Sequence, residues 1–199
     1  MIKEILDGEE IKKILYSVIE NEVGKKTIQT EITSDIGSSQ KYMGFIMNRC
    51  IAKLSSEYNY ESSDDYLHDK LVTTLSEALF HFMLTICTLP SERRIRLDDL
   101  VLDIVVPNLQ RLKTKPDNSI VVQFINRSHE LSSISRFELV QPYHKNIWLI
   151  SAKPLPLTRK YTTYYVLSNG ALSSKYSNIM IDIYNFLKQT GDKSFRFIH

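Results

Sequence analysis

The apolar positions change their period once along the chain. Up to Leu89 they recur at helical spacing, and beyond Pro90 they come in short β-branched runs. Ile11, Ile14, Leu15, Val18 and Ile19 lie at i, i+3, i+4, i+7 and i+8, which predicts a helix over 9–23, with Asp7-Gly8 as its start and Gly24 as its stop. Thr27, Ile28, Thr30 and Ile32 are β-branched and near-alternating, and predict a short strand over 25–32. A turn cluster at 34–39 precedes a helix over 40–54 carrying Tyr42, Phe45, Ile46, Ile51 and Leu54. After a polar loop at 57–65, Leu67, Leu71, Leu75, Leu79, Phe82 and Ile86 form the stripe of a long helix over 64–89, which Pro90 ends.

The second half reads as strands with helices between them. Strands are predicted over 100–106, 119–126, 146–152 and 162–167, and an edge strand over 194–198. The run at 119–126 is almost wholly apolar and belongs at the sheet centre. Helices are predicted over 131–140 and 173–189, a basic turn over 113–118, a rigid linker over 153–156 and a turn at Asn169-Gly170. The expected fold is α/β, bordering on α+β. A mixed sheet is covered by helices in one domain over 1–199, with a mainly helical part at 1–90 and a sheet-containing part at 91–199. Val105, Val121, Phe124 and Trp148 are expected in its core.

Composition narrows the function classes. With 43% hydrophobic and 24% charged residues, the 199-residue chain can bury a core. The acidic opening is not a secretory leader, and no window reaches the roughly 20 apolar residues of a membrane span, so a cytoplasmic protein with no membrane contact is expected. Cys50 and Cys87 are too few for a disulfide scaffold and read as reduced, buried residues. The six glycines form neither a phosphate loop nor a dinucleotide fingerprint, and there is no Gly-x-Ser-x-Gly. The histidines lack zinc-ligand spacing, so no metal site is expected from them. Abundant Ile, Ser, Lys and Tyr with few Ala resemble proteins of AT-rich genomes, including archaea and their viruses, a likeness without functional content.

Charge is unevenly divided: residues 1–90 carry a net −5 and residues 91–199 a net +7, within an overall +2. The basic half holds Arg93-Arg94-Ile95-Arg96, then Arg111, Lys113 and Lys115, then Arg159 and Lys160 leading into Tyr161, Tyr164 and Tyr165. Bases interleaved with aromatics suit a nucleic-acid backbone and its bases. Arg111, Lys113, Lys115, Arg159 and Lys160 are therefore the expected nucleic-acid contacts. DNA or RNA is the expected partner, with a protein partner as the alternative.

One constellation bears on catalysis. Glu77 lies on the long helix, Asp103 on the first strand, and Gln123 and Ile125 on the central strand, with a helix and a strand following. This resembles the core of the PD-(D/E)xK, or restriction-endonuclease-like, nucleases. The resemblance implies Asp103 as the strand acid, Glu77 as the helix acid, Gln123 where the second acid belongs and Ile125 where a lysine belongs. In that family converging carboxylates hold a divalent metal such as magnesium, and the lysine supports the nucleophile. Gln123 is a neutral ligand and Ile125 can do nothing a lysine does. A noncatalytic nucleic-acid-binding protein without a cofactor is thus the expected reading. An interaction or assembly subunit, or a metal nuclease with a variant site at Glu77, Asp103 and Gln123, are the alternatives.

Overall fold

Asp7 starts the first helix: its Oδ1 accepts from the N–H groups of Glu9 and Glu10 at 2.8 and 2.9 Å, satisfying two donors that a helix start leaves open. Helix α1 (Gly8–Val18) buries Ile11, Ile14, Leu15 and Val18, as the spacing predicts. It runs into a π-turn (Ile19–Val23) and stops at Gly24, whose φ of +88° is a conformation that side chains other than glycine resist. The computed structural model describes residues 7–58, 65–126, 131–154, 160–167 and 175–191.

The expected strand at 25–32 is instead helix α2 (Lys25–Ser34). Ile28 and Ile32 stand four apart and are both buried, while Thr27 and Thr30 are exposed, so the buried period is helical. Thr33 and Ser34 return their hydroxyls to the carbonyls of Gln29 and Thr30, four residues back, at 2.7 and 3.0 Å. Helices α3 (Ser38–Tyr58) and α4 (Asp65–Ile86) match the two remaining helical stripes. Phe45 of α3 is 42% exposed, because Met43, Ile46, Met47 and Cys50 line the buried side.

Strand β1 (Glu92–Leu97) was not legible as a strand, since three of its six residues are arginines. It pairs with β2 (Leu100–Val106), and β2 leads through α5 (Leu109–Thr114) and a 3-10 turn (Pro116–Asn118) into β3 (Ile120–Ile125). The expected basic turn is therefore partly helix. Asn108 caps α5 by accepting from Arg111 N–H at 2.8 Å. Then come α6 (Leu131–Phe137), β4 (Ile147–Ser151), β5 (Thr162–Tyr165) and α7 (Ile179–Gln189). The last helix begins six residues later than expected, because Lys175 bridges to Tyr165 and a 3-10 turn follows. The expected edge strand at 194–198, the Asn169-Gly170 turn and Arg159 lie outside the described residues.

The five strands lie in the order β1-β2-β3-β4-β5. The first three are antiparallel and the last three parallel, which makes the sheet mixed. One face presents Ile104, Val106, Ile120, Val122, Phe124, Trp148, Ile150 and Tyr164 to α1–α4 and α7. The other packs Val105, Val121, Ile125, Ile147 and Leu149 on Leu112 of α5 and Ile134 and Phe137 of α6. Strand β3 is buried at all six positions, as its apolar run predicts, and Val105, Val121, Phe124 and Trp148 are all in the core.

The β1–β2 ladder breaks its alternation once. Leu102 and Ile104 are two apart, yet they pack on opposite faces of the sheet, although strand residues two apart normally share a face. Between them lies Asp103. Across the ladder, between Arg93↔Ile104 and Ile95↔Leu102, lies Arg94 with a left-handed φ of +50°.

Candidate functional site

The β2–β3 ladder runs Val106↔Ile120, Val105↔Val121, Ile104↔Val122 and ends there. Asp103 and Gln123 are the next residues along, where the two backbones no longer pair. Asp103 fills the gap with its side chain, Oδ2 accepting the Phe124 N–H at 2.9 Å. The Gln123 amide closes the ring from the other strand. In the orientation that satisfies its neighbours, Nε2 donates to Asp103 Oδ2 at 2.8 Å and Oε1 accepts the Asp103 N–H at 3.0 Å. Gln123 is 4% exposed, so its amide needs these partners, and it finds them locally.

Glu77 projects from the middle of α4 and is half-buried. Its Oε1 lies 3.5 Å from His81 Nε2, one turn on, and 3.9 Å from Arg94 Nη2. The hydrogen bond to His81, followed by the charges of His81, Arg94 and Arg93, holds its carboxyl below the usual carboxylate range against the opposing effect of burial. The structure thus joins Asp103 directly to Gln123, and engages Glu77 with a histidine and an arginine. Ile125 is 5% exposed and packs in the core shared with α5 and α6. Arg136, a cation near the end of α6, is bonded to Asp99 and does not stand in for a lysine. Arg127, the other cation close enough in sequence to β3 to take the lysine's role, lies outside the described residues.

A divalent ion of the kind the nuclease resemblance implies needs several oxygen ligands converging on one point. Asp103 supplies one carboxylate, already accepting from a backbone N–H and a carboxamide. Among the described residues no group of three or more His, Cys, Asp or Glu is placed to hold a metal. The residues at Glu77, Asp103 and Gln123 do not fit such an ion.

The expected nucleic-acid contacts collect elsewhere. Arg111 and Lys113 lie in the last turn of α5, where cations complement the helix dipole, and Lys115 follows. Lys113 and Lys115 are exposed, and Arg111 is half-buried. Lys160 precedes β5, but its Nζ lies 2.6 Å from Glu138 Oε1 and 5.5 Å from the centre of the Tyr161 ring. Glu138 is a hub missed in the sequence: it also accepts from Tyr161 Oη and sits 3.3 Å from His144 Nε2. The Lys160 and Tyr161 hydrogen bonds hold Glu138 below the usual carboxylate range, while desolvation, then Glu138, pushes the Tyr161 phenol up to about 12. Nothing in the sequence flagged Glu138, because its partners are 6 to 23 residues away.

These elements share one rim of the sheet. The α5 segment enters β3, the 3-10 turn at His144–Asn146 enters β4, and Lys160-Tyr161 enters β5. They are tied by Asn146 Nδ2 donating to Asp117 O at 2.9 Å, by Gln141 Nε2 donating to Ser119 O at 2.8 Å, and by Thr162 Oγ1 donating to Lys145 O at 2.8 Å. The Asp103–Gln123 pair lies away from that rim, at the middle of β2 and in the second half of β3. The basic rim and the nuclease-like position are therefore separate places.

No protein-family model matches the chain, and no curated protein matches it. Solved structures do. Metal-depleted Ecl18kI in complex with uncleaved, modified DNA superposes with a TM-score of 0.55 at 8% identity, covering 96% of this chain and 88% of that one. The same protein with uncleaved DNA gives 0.53 over the same coverage, again at 8% identity. The restriction endonuclease PspGI in its substrate-DNA complex gives 0.46 at 13% identity, over 93% and 94% of the two chains.

Proposed function

We propose, for a chain whose fold is restriction-endonuclease-like, a noncatalytic nucleic-acid-binding function. The observation that carries this reading is the closed Asp103–Gln123 pair, with Ile125 buried in apolar surroundings two residues on. A carboxylate and a carboxamide that satisfy each other and a backbone N–H serve the sheet rather than a metal. The cations of the other rim favour binding. Lys113 and Lys115 are exposed at the end of a short helix, and Arg111 stands beside them.

Lys160 is a weaker contact than its sequence suggested, since releasing it to a phosphate means giving up Glu138. Three phosphate contacts from Arg111, Lys113 and Lys115 correspond to a log–log salt slope of about −2 to −3. A gel-shift titration against single- and double-stranded DNA and RNA, repeated across salt concentrations, measures it. The triple alanine variant at these positions should lose most of the slope; its fold is checked by circular dichroism because Arg111 is half-buried, and the Lys113→Ala, Lys115→Ala pair, both exposed, should lower the slope by up to about 2 without loss of stability. Absence of binding at low salt defeats the proposal. Incubation with magnesium or manganese should give no cleavage above background, and robust cleavage lost on Asp103→Asn would promote the metal-nuclease reading.

A second reading, an interaction or assembly subunit, draws on Leu139, 86% exposed, and Tyr143, 51% exposed, on the basic rim. Its mark is association that survives high salt, where phosphate contacts fail.

A further inference from the structure

A second group of cations lies on the opposite face of the sheet from α5. A cavity of about 400 Å³ opens between α1, α2, α4 and β1, lined by Lys12, Tyr16, Lys25, His81, Phe82 and Arg93 over an apolar floor. The cations come from three elements, α1, α2 and β1, and among the described residues no carboxylate lines the cavity. A cleft walled by one sign of charge concentrates its field on whatever anion enters.

The backbone accounts for Arg93. In a regular strand Arg93 and Arg94 would point to opposite faces. With Arg94 left-handed, both turn toward the helical layer: Arg93 lines this cavity and Arg94 lines the adjoining one beside Glu77. A left-handed arginine costs on the order of 1–2 kcal/mol, and an observed strain of this kind points toward use. Lys12 leans on Glu9 at 2.6 Å, but both side chains are more than half exposed, so the pair is readily exchanged for another anion. His81 turns Nε2 to Glu77, and among the described residues its buried Nδ1 finds no hydrogen-bond partner. Tyr16 is 52% exposed beside these cations and offers a flat surface.

We infer that this cleft binds a terminal phosphate group, with Lys25 and Arg93 as its principal cations and Tyr16 covering the group attached to it. The shared chemistry is a phosphate monoester, carried either by a free mononucleotide or by the 5′ end of a nucleic-acid strand. A monoester carries up to two negative charges and three strong acceptor oxygens, which suits cations converging from several directions. The cavity volume lies within the usual range for small-ligand sites.

Calorimetric titration with AMP, inorganic phosphate and adenosine tests the inference, together with short single strands bearing a 5′-phosphate or a 5′-hydroxyl. AMP should bind at least about tenfold more tightly than adenosine, and Lys25→Gln with Arg93→Gln should weaken AMP by about tenfold or more. Lys113→Ala with Lys115→Ala should leave AMP binding unchanged, which separates this cleft from the basic rim. A 5′-phosphorylated strand preferred over its 5′-hydroxyl form, with the preference lost in the Lys25/Arg93 variant, identifies a strand end as the source. Equal binding of the two strands, with AMP still dependent on Lys25 and Arg93, identifies the free nucleotide. Equal affinity for AMP and adenosine, or no effect of the Lys25 and Arg93 substitutions, overturns the inference whether or not the rim binds nucleic acid.

Discussion

A carboxylate oxygen bonded to a backbone N–H matters most where water cannot take its place. The Phe124 N–H lies beyond the last β2–β3 ladder pair, and Asp103 is its partner. Asp103→Ala should cost about 1–3 kcal/mol in urea denaturation, whereas Asp103→Asn, which keeps an acceptor oxygen, should cost less. Glu77 makes a pH prediction. Its folded carboxyl titrates below the usual range, so its contribution is complete above the ordinary carboxylate pKa and is lost as pH falls through the depressed one. Wild-type stability should therefore fall more steeply below about pH 4.5 than that of Glu77→Gln, measured by urea midpoints across the acid range. The cysteines give a simpler outcome. Burial pushes both the Cys50 and the Cys87 thiol up to about 12, so a thiol reagent should label neither in the native protein and both after denaturation. At this scale the sequence singled out Asp103 and Gln123 as strand residues of the nuclease-like constellation. It could not tell that they bond to each other, because the pairing follows from where the β2–β3 ladder ends.

Elements were legible where burial and period agreed. The stripes of α1 and α4 and the apolar run of β3 each had one reading. Val121→Asp should cost about 3–5 kcal/mol and abolish the cooperative transition, since it places an unpaired charge between β2 and β4. A native-like denaturation midpoint for that variant would remove this strand from the core. Helix α2 was misread because β-branched residues are strand formers by propensity, and the four-residue spacing of Ile28 and Ile32 outweighed that preference once both were buried against the helical layer. Strand β1 was unreadable for a different reason. It is a border strand in which the left-handed Arg94 breaks the alternation and the arginines stay exposed, while Ile95 and Leu97 pack against the core.

Across the whole molecule, one apolar cluster runs from Ile11 of α1 through Phe80 of α4 and Phe124 of β3 to Trp148 of β4 and Leu187 of α7. The helical part and the sheet should therefore unfold together. Trp148, the single tryptophan, reports on the sheet, while far-UV circular dichroism reports mainly on the helices. Their urea transitions should coincide, and separate midpoints would divide the chain into two folding units. The charge imbalance between the halves was visible at once. Its resolution into a rim at α5 and a cleft at β1 was not, because it depends on which face each strand residue takes. Strand β1 also decides how this molecule tolerates its own company at high concentration. Among the described residues its outer backbone groups have no ladder partner, and a border strand of this kind is a template on which a second copy can pair. Three exposed arginines in six residues, bent by the left-handed Arg94, make such a template both repulsive and out of register. Substituting Arg94 and Arg96 with valine, which resists the left-handed conformation, would favour a flatter, less charged border, and light scattering at rising concentration should show that variant aggregating first.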